Sequence, residues 1–289
     1  MKKIVPAFPG ILVFLSLMVP FFQVLTVSAQ EVIWHARGRG LLYTKLEAES
    51  ITAEETDTVH VYNIDTARYR LRFFHCQDLS EGRALSLAEW YEQTDVPLVF
   101  NVCSDVQKQV PTAYLRISGK TIQYRFVKAW KGLLVSDSSG QSRPSTRIVD
   151  LQFTPFSPTD PYFSDAYQQP MLLDENGEIR VNPRPYKAIR VAVGEDRDGN
   201  ILIFLTEKPH RMWDIARWLQ RCPFSLVRAM NLGGGNAIQV LGRSPVDRVY
   251  ILGQDHSGSP IEELGALREE AAPREEVCCT MGVVTLPSQ

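Results

Sequence analysis

Apolar and polar residues alternate along residues 32–74, which is the pattern of half-buried β-strands. Within this region, residues 58–64 and 69–74 are the clearest strand candidates, and residues 65–68 supply the turn between them. Further strands are predicted at residues 96–101, 112–117, 122–127 and 148–153. The clearest hairpin joins residues 188–193 to residues 201–205.

Two segments carry helical signals instead. Ser86 is a good N-cap for a short helix at residues 87–93, and Glu89 follows Ser86 by three positions, as in a capping box. Residues 212–220 place their apolar side chains on one face at spacings of three and four, and Pro223 follows them. We therefore predict a helix in each segment.

Two other stretches lack such periodicity. Residues 154–187 are rich in proline and turn signals, with a small hairpin of residues 171–173 and 178–180 inside them. Residues 254–289 are polar and acidic, and they predict a loosely ordered tail. The whole pattern predicts a single large α+β domain over residues 32–252, mostly antiparallel sheet with a few packed helices.

The N-terminal 29 residues have the pattern of an export signal. Lys2 and Lys3 precede a mostly apolar run, and Val27, Ser28 and Ala29 are small residues of the kind that signal peptidase accepts. An uncleaved membrane anchor is the alternative, but prolines and a glycine interrupt the run and favour cleavage. We expect an extracytoplasmic protein, periplasmic or secreted, without a stable membrane span.

Composition narrows the classes of function. The 289-residue chain is 44% hydrophobic and 22% charged, as a globular protein is, and its formal charge is −2. Without clusters of basic residues, we expect no nucleic-acid partner. The five cysteines and five histidines show no metal-ligand spacing, so we predict no metal site, buried or incidental thiols and structural histidines. Export permits disulfides, but an odd count leaves at least one thiol unpaired within the monomer.

Residues 231–236 form the most unusual local sequence, because three consecutive glycines follow an apolar run. Consecutive glycine amides can approach and cradle an anion such as phosphate. The segment lacks the Lys and Ser/Thr of a Walker A loop, and the residues after it favour a strand rather than the helix of a dinucleotide-binding fingerprint. An anion-binding loop and a tight turn between two strands both remain open.

Several segments, taken in order, resemble the phosphodiester glycosidase family. That family carries an amphipathic helix followed by Asn-Leu-Asp-Gly-Gly-Gly-Ser, which residues 212–220 and 231–236 resemble. Residues 190–194 are similar to its Arg-Thr-Ala-Ile-Gly strand, and residues 85–101 to its segment ending in Asn-Ala-Gly-Phe-Phe. The resemblance covers about residues 32–252 and implies a substrate in which a sugar is joined to phosphate.

The resemblance also implies a site. The guanidinium of Arg190 would make a charge-assisted contact to a phosphodiester oxygen, although a surface ion pair is an alternative role for it. Asparagines at strand ends would orient the sugar, or else serve as turn residues. The predicted catalytic residues are Arg190 and Asn101, and the predicted substrate-binding residues are Asn231, Gly233, Gly234, Gly235 and Asn236.

One departure from the family bears on catalysis. Its glycine-segment Asp is missing: either Gly233 stands in its place or the position is deleted. Glycoside cleavage generally requires carboxylates, so we expect binding to survive and hydrolysis to be weak or absent. Asp105, Asp137 or Glu195 could supply the acid if the fold placed one of them beside Arg190 and Asn231.

The favoured hypothesis is an exported phosphodiester-glycosidase-like protein that hydrolyses or binds a sugar phosphodiester. The alternative is a non-catalytic envelope protein that binds an anionic glycan, or a protein partner through its acidic tail. The sequence specifies no cofactor.

Overall fold

The computed structural model describes residues 32–52, 55–101, 111–137, 144–234, 239–243, 249–253 and 279–286. In chain order the elements are β1 (His35–Gly38), β2 (Leu41–Thr52), β3 (Glu55–Ile64), β4 (Tyr69–His75), α1 (Cys76–Leu79), α2 (Leu87–Thr94), β5 (Leu98–Asn101), β6 (Leu115–Ile117), β7 (Lys120–Gln123), β8 (Gly132–Ser136), β9 (Thr146–Asp150), β10 (Asp165–Gln169), β11 (Met171–Leu173), β12 (Arg190–Asp196), β13 (Ile201–Thr206), α3 (Met212–Leu219), β14 (Leu226–Gly234), β15 (Gln239–Arg243), β16 (Val249–Gly253) and β17 (Cys279–Thr285).

The strands form three antiparallel sheets. The first has the order β1-β2-β3-β13-β12-β14-β11, the second β16-β15-β5-β17-β4, and the third β7-β6-β10-β8-β9. Strands account for 48% of the structure and helices for only 10%. The predicted α+β class is therefore wrong, and the protein is mostly β. The helices α1 to α3 have four to eight residues each, which is too short to build a helical layer.

The three sheets share one apolar core. Tyr62 of the first sheet, Phe73 and Phe100 of the second, and Leu134 and Tyr167 of the third are all fully buried in it. Apolar residues at alternate positions of these strands face this shared interior, which explains why the strand signals in the sequence were strong.

Both predicted helices are present, and each packs its apolar residues against a sheet. Ile215 and Ala216 of α3 pack with Phe204 on the first sheet. Helix α2 begins after the predicted capping box: Glu89 N donates to Ser86 Oγ at 3.3 Å, and Ser86 N donates to Glu89 Oε2 at 2.8 Å.

The hairpin predicted around residues 188–205 is also confirmed, as β12 and β13. The turn at residues 65–68 has a different role from a hairpin turn, because β3 lies in the first sheet and β4 in the second. It therefore carries the chain from one sheet to another.

The end of the predicted loose tail is an ordered strand. β17 lies between β5 and β4 and pairs with both, and its residues Met281 and Val283 are fully buried. The prediction was wrong for these residues because seven residues of alternating pattern follow a long acidic stretch. Residues 1–31 and 254–278 lie outside the described residues, so the signal peptide, the domain boundaries and the rest of the tail stay predictions.

The described cysteines include both a disulfide and free thiols. Cys76 is disulfide-bonded, whereas Cys222 and Cys279 are free. Burial raises the pKa of Cys222 to about 12, so its thiol is a poor nucleophile. Within the described ranges, no helix has the length and apolar character needed to cross a membrane.

Candidate active site

Strand pairing brings Arg190 to the glycine segment. Arg190 is the first residue of β12 and lies directly opposite Gly234, the last residue of β14. Val191 lies opposite Gly233 in the same ladder. Two parts of the predicted site that are distant in sequence are thus neighbours, while Gly235 and Asn236 lie outside the described residues.

Arg190 is a buried cation that is held by carbonyl oxygens. Its side chain is 5% exposed, and its Nε donates to the carbonyl oxygen of His210 at 2.9 Å and its Nη2 to that of Tyr186 at 3.4 Å. Burial lowers the pKa of the guanidinium, but arginine remains protonated at neutral pH. Among the described residues no carboxylate forms an ion pair with Arg190.

The missing side chain of Gly234 makes room for this guanidinium. A Cβ at Gly234 would lie 2.7 Å from Arg190 Nη1 and 3.3 Å from the carbonyl oxygen of Ile189. Gly233 and Gly234 both continue the extended strand β14. The predicted loop or tight turn therefore does not begin at Asn231, and β14 and β15, which belong to different sheets, do not form a hairpin.

Asn231 has protein partners in either orientation of its amide. In one orientation its Nδ2 donates to Gln169 Oε1 at 3.3 Å. In the other, its nitrogen donates to Gly233 O at 3.1 Å and its oxygen accepts from Gly233 N at 3.3 Å, which satisfies both atoms. We favour the second, because a buried amide with both atoms bonded costs least. Asn231 then shapes the backbone of Gly233.

Asn101 lies at the other end of the glycine-rich connection. It is the last residue of β5, opposite Thr280, and its neighbour Phe100 lies opposite Val240 of β15. The chain from Gly234 to Gln239 spans at most roughly 18 Å. The end of β14 therefore lies at most roughly 18 Å from the start of β15. Asn101 lies next to the start of β15.

The acids predicted as substitutes do not lie beside Arg190. Glu195 is five residues further along β12, roughly 17 Å away, and burial raises its pKa. Gly132, the first residue of β8, contacts β14, whereas Asp137 lies beyond the other end of β8. Asp105 lies outside the described residues.

Two histidine–acid pairs stand at the same end of the first sheet. His210 Nε2 and Asp57 Oδ2 are 2.7 Å apart and fully buried, and the carbonyl of this same histidine accepts from Arg190. His60 Nε2 and Glu207 Oε1 are also 2.7 Å apart. Sequence reasoning missed both pairs because the partners are 153 and 147 positions apart, and no local pattern connects them.

Glu207 is the residue next to a hydrogen-bond partner of Arg190. It follows Thr206, whose Oγ1 accepts from Arg190 N at 3.0 Å. The hydrogen bond from His60 lowers the pKa of Glu207, which is therefore ionised at neutral pH. The strand register puts the side chain of His60 on the face opposite to that of Arg190. Glu207 therefore lies at the same end of the first sheet as Arg190, but it is paired with a histidine on the opposite face.

No cluster of three or more His, Cys, Asp or Glu side chains suited to a metal ion occurs among the residues that the structure describes. The chemistry available at this end of the sheet is that of one buried guanidinium, strand-end amides and two histidine–acid pairs.

Fold and site together define an antiparallel β protein in which a buried arginine starts one strand opposite the glycine-rich end of the next. The family model for phosphodiester glycosidases matches residues 100–255, more than half of the chain. The protein belongs to this family. The matched region contains Arg190, Asn101 and the whole glycine segment, which confirms the resemblance seen in the sequence.

Solved structures share the fold. The catalytic domain of zebrafish N-acetylglucosamine-1-phosphodiester alpha-N-acetylglucosaminidase, auto-inhibited by its pro-peptide, superposes with a TM-score of 0.58 at 13% identity, over 89% of this chain and 88% of that one. A hypothetical protein from Synechocystis gives the same TM-score and identity, over 89% of this chain and 64% of that one. No curated protein sequence matches the chain.

Proposed function

We propose that the protein binds a sugar joined to phosphate through a diester, outside the cytoplasm, and that it hydrolyses this diester weakly. The observation that carries the proposal is the buried guanidinium of Arg190 opposite Gly234, in a chain that belongs to the phosphodiester glycosidase family. A buried cation that has no acidic partner in the described part of the chain favours an anionic ligand, and a guanidinium matches the geometry of a phosphodiester oxygen pair.

Tyr186 offers a surface for the sugar. Its ring is 65% exposed, and the guanidinium carbon of Arg190 lies 5.4 Å from the ring centroid. An exposed aromatic face beside a phosphate-binding cation suits the apolar face of a sugar ring. Arg190 would then hold the phosphate while Tyr186 supports the attached sugar.

Weak hydrolysis follows from the acids that are present. Cleavage requires a group that protonates the leaving oxygen, and general acid catalysis contributes typically about 10² to 10⁴ in rate. The family's glycine-segment Asp is absent, and Glu207 is ionised at neutral pH, so it has no proton to give. Binding by Arg190 needs neither group.

Export is supported by two features. The first 29 residues have the pattern of a signal peptide. The disulfide at Cys76 suits an oxidising compartment, since disulfides are rare in the cytosol.

The binding proposal is tested by calorimetric titration with a panel of sugar phosphodiesters, beginning with N-acetylglucosamine esters. Arg190→Gln should weaken binding by roughly 10- to 100-fold, because a charge-assisted hydrogen bond contributes about 1.5–3 kcal/mol. Arg217→Gln, which removes an exposed arginine from α3, is the matched control and should bind as the wild type does. Unchanged affinity in Arg190→Gln would overturn the proposal.

The hydrolysis part is tested by comparing the wild type with Gly233→Asp. Gly233 is in extended conformation, which any residue can adopt, so the substitution meets no backbone strain there. We expect the variant to gain turnover and the wild type to show little. Robust wild-type turnover would contradict weak hydrolysis, and its loss in Glu207→Gln would then identify Glu207 as the group responsible.

A further inference from the structure

A second polar pocket lies between the second and third sheets, away from Arg190. It has a volume of about 310 Å³, and the residues that matter for its chemistry are Arg70, Arg72, Arg116, Ser118 and Asp165. Asp165 begins β10, whereas Gln169, which contacts Asn231, ends it. Four residues of strand, roughly 13 Å, therefore separate the pocket from the candidate active site.

Arg116 brings a buried positive charge to this pocket. Its Nη1 donates to the carbonyl oxygens of Asp160 at 2.7 Å and Pro158 at 3.1 Å, and its Nε donates to that of Gly119 at 3.2 Å. These carbonyls satisfy hydrogen bonds but do not neutralise the charge. Arg116 thus fixes the pocket wall and adds a positive potential.

Arg70 and Arg72 have donors to spare. They stand at alternate positions of β4 and so face the same side. Arg70 Nη1 donates to Asp137 O at 3.3 Å, but its buried Nε has no partner among the described residues. Arg72 makes one long hydrogen bond, from Nη2 to Ser118 Oγ at 3.4 Å. In the described part of the chain, none of the three arginines of the pocket forms an ion pair with a carboxylate.

Asp165 is the acid that lines the pocket. It is 1% exposed, and its Oδ1 accepts from Ser118 N at 2.6 Å. Burial raises the pKa of Asp165 to about 6, although Arg70 and Arg72 oppose the shift. At mildly acidic pH the carboxyl is neutral, and among the described residues the pocket lining then holds three arginines and no charged acid.

We propose that this arginine pocket, formed by Arg70, Arg72, Arg116 and Asp165, is a binding site for a tetrahedral oxyanion, the phosphate or sulfate group of a small molecule or of an ester. Convergent guanidinium groups recognise such oxyanions through paired, charge-assisted hydrogen bonds. The volume is within the range of small-ligand sites. The site does not depend on the function proposed for Arg190.

Binding at this site is coupled to a proton on Asp165. A bound dianion disfavours a second negative charge nearby, so it favours the protonated carboxyl. The charged groups around Asp165 in the described residues are Arg70 and Arg72 from β4, Arg116 from β6, and Asp137 beyond β8, which acts on Arg70. The pKa of Asp165 is raised to about 6 by burial. Affinity should therefore increase as the pH falls through about 6.

Sulfate is the probe for this coupling, because it stays doubly charged between pH 5 and pH 8. In calorimetric titrations of the full chain, the wild type should bind sulfate at least tenfold more tightly at pH 5 than at pH 8. Asp165→Asn keeps an oxygen for Ser118 N and should bind at pH 8 about as tightly as the wild type does at pH 5. No sulfate binding at either pH, or unchanged pH dependence in Asp165→Asn, would overturn the proposal.

Arginine variants locate the site. Arg72→Gln should weaken sulfate binding at least tenfold, whereas the exposed control Arg217→Gln should not change it. Arg190→Gln removes any sulfate bound at Arg190 but should keep the pH-dependent sulfate binding that Arg72→Gln removes, which separates this test from that of the candidate active site. Loss of sulfate binding in Arg190→Gln with retention in Arg72→Gln would overturn the proposal.

Inorganic phosphate and glycerol 3-phosphate, compared at pH 8 where both are dianions, identify the source of the oxyanion. Tighter binding of the ester supports a group carried on a larger molecule, and equal binding supports the free ion. Binding of neither contradicts the assignment.

Discussion

At Gly234 the absence of a side chain decides where Arg190 places its guanidinium, since a Cβ there would lie 2.7 Å from Nη1. Gly234→Ala should push the guanidinium aside without removing its charge. We expect roughly tenfold weaker binding of a sugar phosphodiester, because part of a charge-assisted contact worth about 1.5–3 kcal/mol is lost. Calorimetric titration of the purified variant measures this change.

A double-mutant cycle is the control for this prediction. If Gly234→Ala acts through Arg190, it should have no further effect in an Arg190→Gln background. Equal losses in both backgrounds would show that the alanine acts through the backbone near Ile189 instead.

Arg190 and the glycine segment could be predicted because each stands in a local sequence that resembles the family. The contacts that hold Arg190 could not. Its acceptors are backbone carbonyls of His210 and Tyr186, and any residue type provides a carbonyl. Asn231 was predicted to bind the sugar, whereas its amide has partners within the protein.

The connection between β13 and α3 depends on one buried acid of β3. Asp57 Oδ1 accepts from Lys208 N at 3.2 Å, and Asp57 Oδ2 lies 2.7 Å from His210 Nε2. Asp57→Ala leaves the buried His210 Nε2 without this partner and removes an acceptor of Lys208 N, so it should lower the free energy of unfolding by about 3 kcal/mol. Urea denaturation measures it.

Asp198→Ala is the matched control for that prediction, because Asp198 is an exposed acid in the turn between β12 and β13. It should change stability by less than about 0.5 kcal/mol. Similar effects of the two substitutions would mean that Asp57 does not anchor the connection.

Elements with local signals were predictable: the capping box at Ser86, the stripe of α3 and the β12–β13 hairpin. Sheet membership was not, because it depends on pairing between distant strands. Nothing near residues 65–68 indicates that β3 and β4 belong to different sheets. The glycines after Leu232 favoured a turn, but pairing with β12 keeps Gly233 and Gly234 extended.

Strand β17 joins β4 to the rest of the second sheet, because it lies between β5 and β4. It pairs with β4 from Cys279 to Thr285 and with β5 on its other side. A chain ending at residue 278 would leave β4 without its partner in this sheet, leave β5 paired with β15 alone, and remove the buried Met281 and Val283. We expect it to lose cooperative unfolding in urea, whereas a chain ending at Leu286 should unfold as the full chain does. Cooperative unfolding of the shorter chain would show that β17 is dispensable.

The pH dependence of stability is a property of the whole molecule, and Asp165 gives it a definite sign. Its pKa rises from 3.8 to about 6 on folding, so between these values the folded state binds more protons than the unfolded state does. Stability from this group is therefore fully present below pH 4 and is lost as the pH rises through about 6. The loss amounts to about 3 kcal/mol, since one pKa unit corresponds to about 1.4 kcal/mol.

Asp165→Asn removes this titration while Glu195, whose pKa is also raised by burial, remains in both proteins and cancels in the comparison. We expect the variant and the wild type to be about equally stable at pH 4, and the variant to be more stable by up to about 3 kcal/mol at pH 7. Urea denaturation at a series of pH values measures the difference, with Asp198→Asn as an exposed control that should show none. A difference between Asp165→Asn and the wild type that stays constant from pH 4 to pH 7 would mean that the buried carboxyl does not titrate in this range.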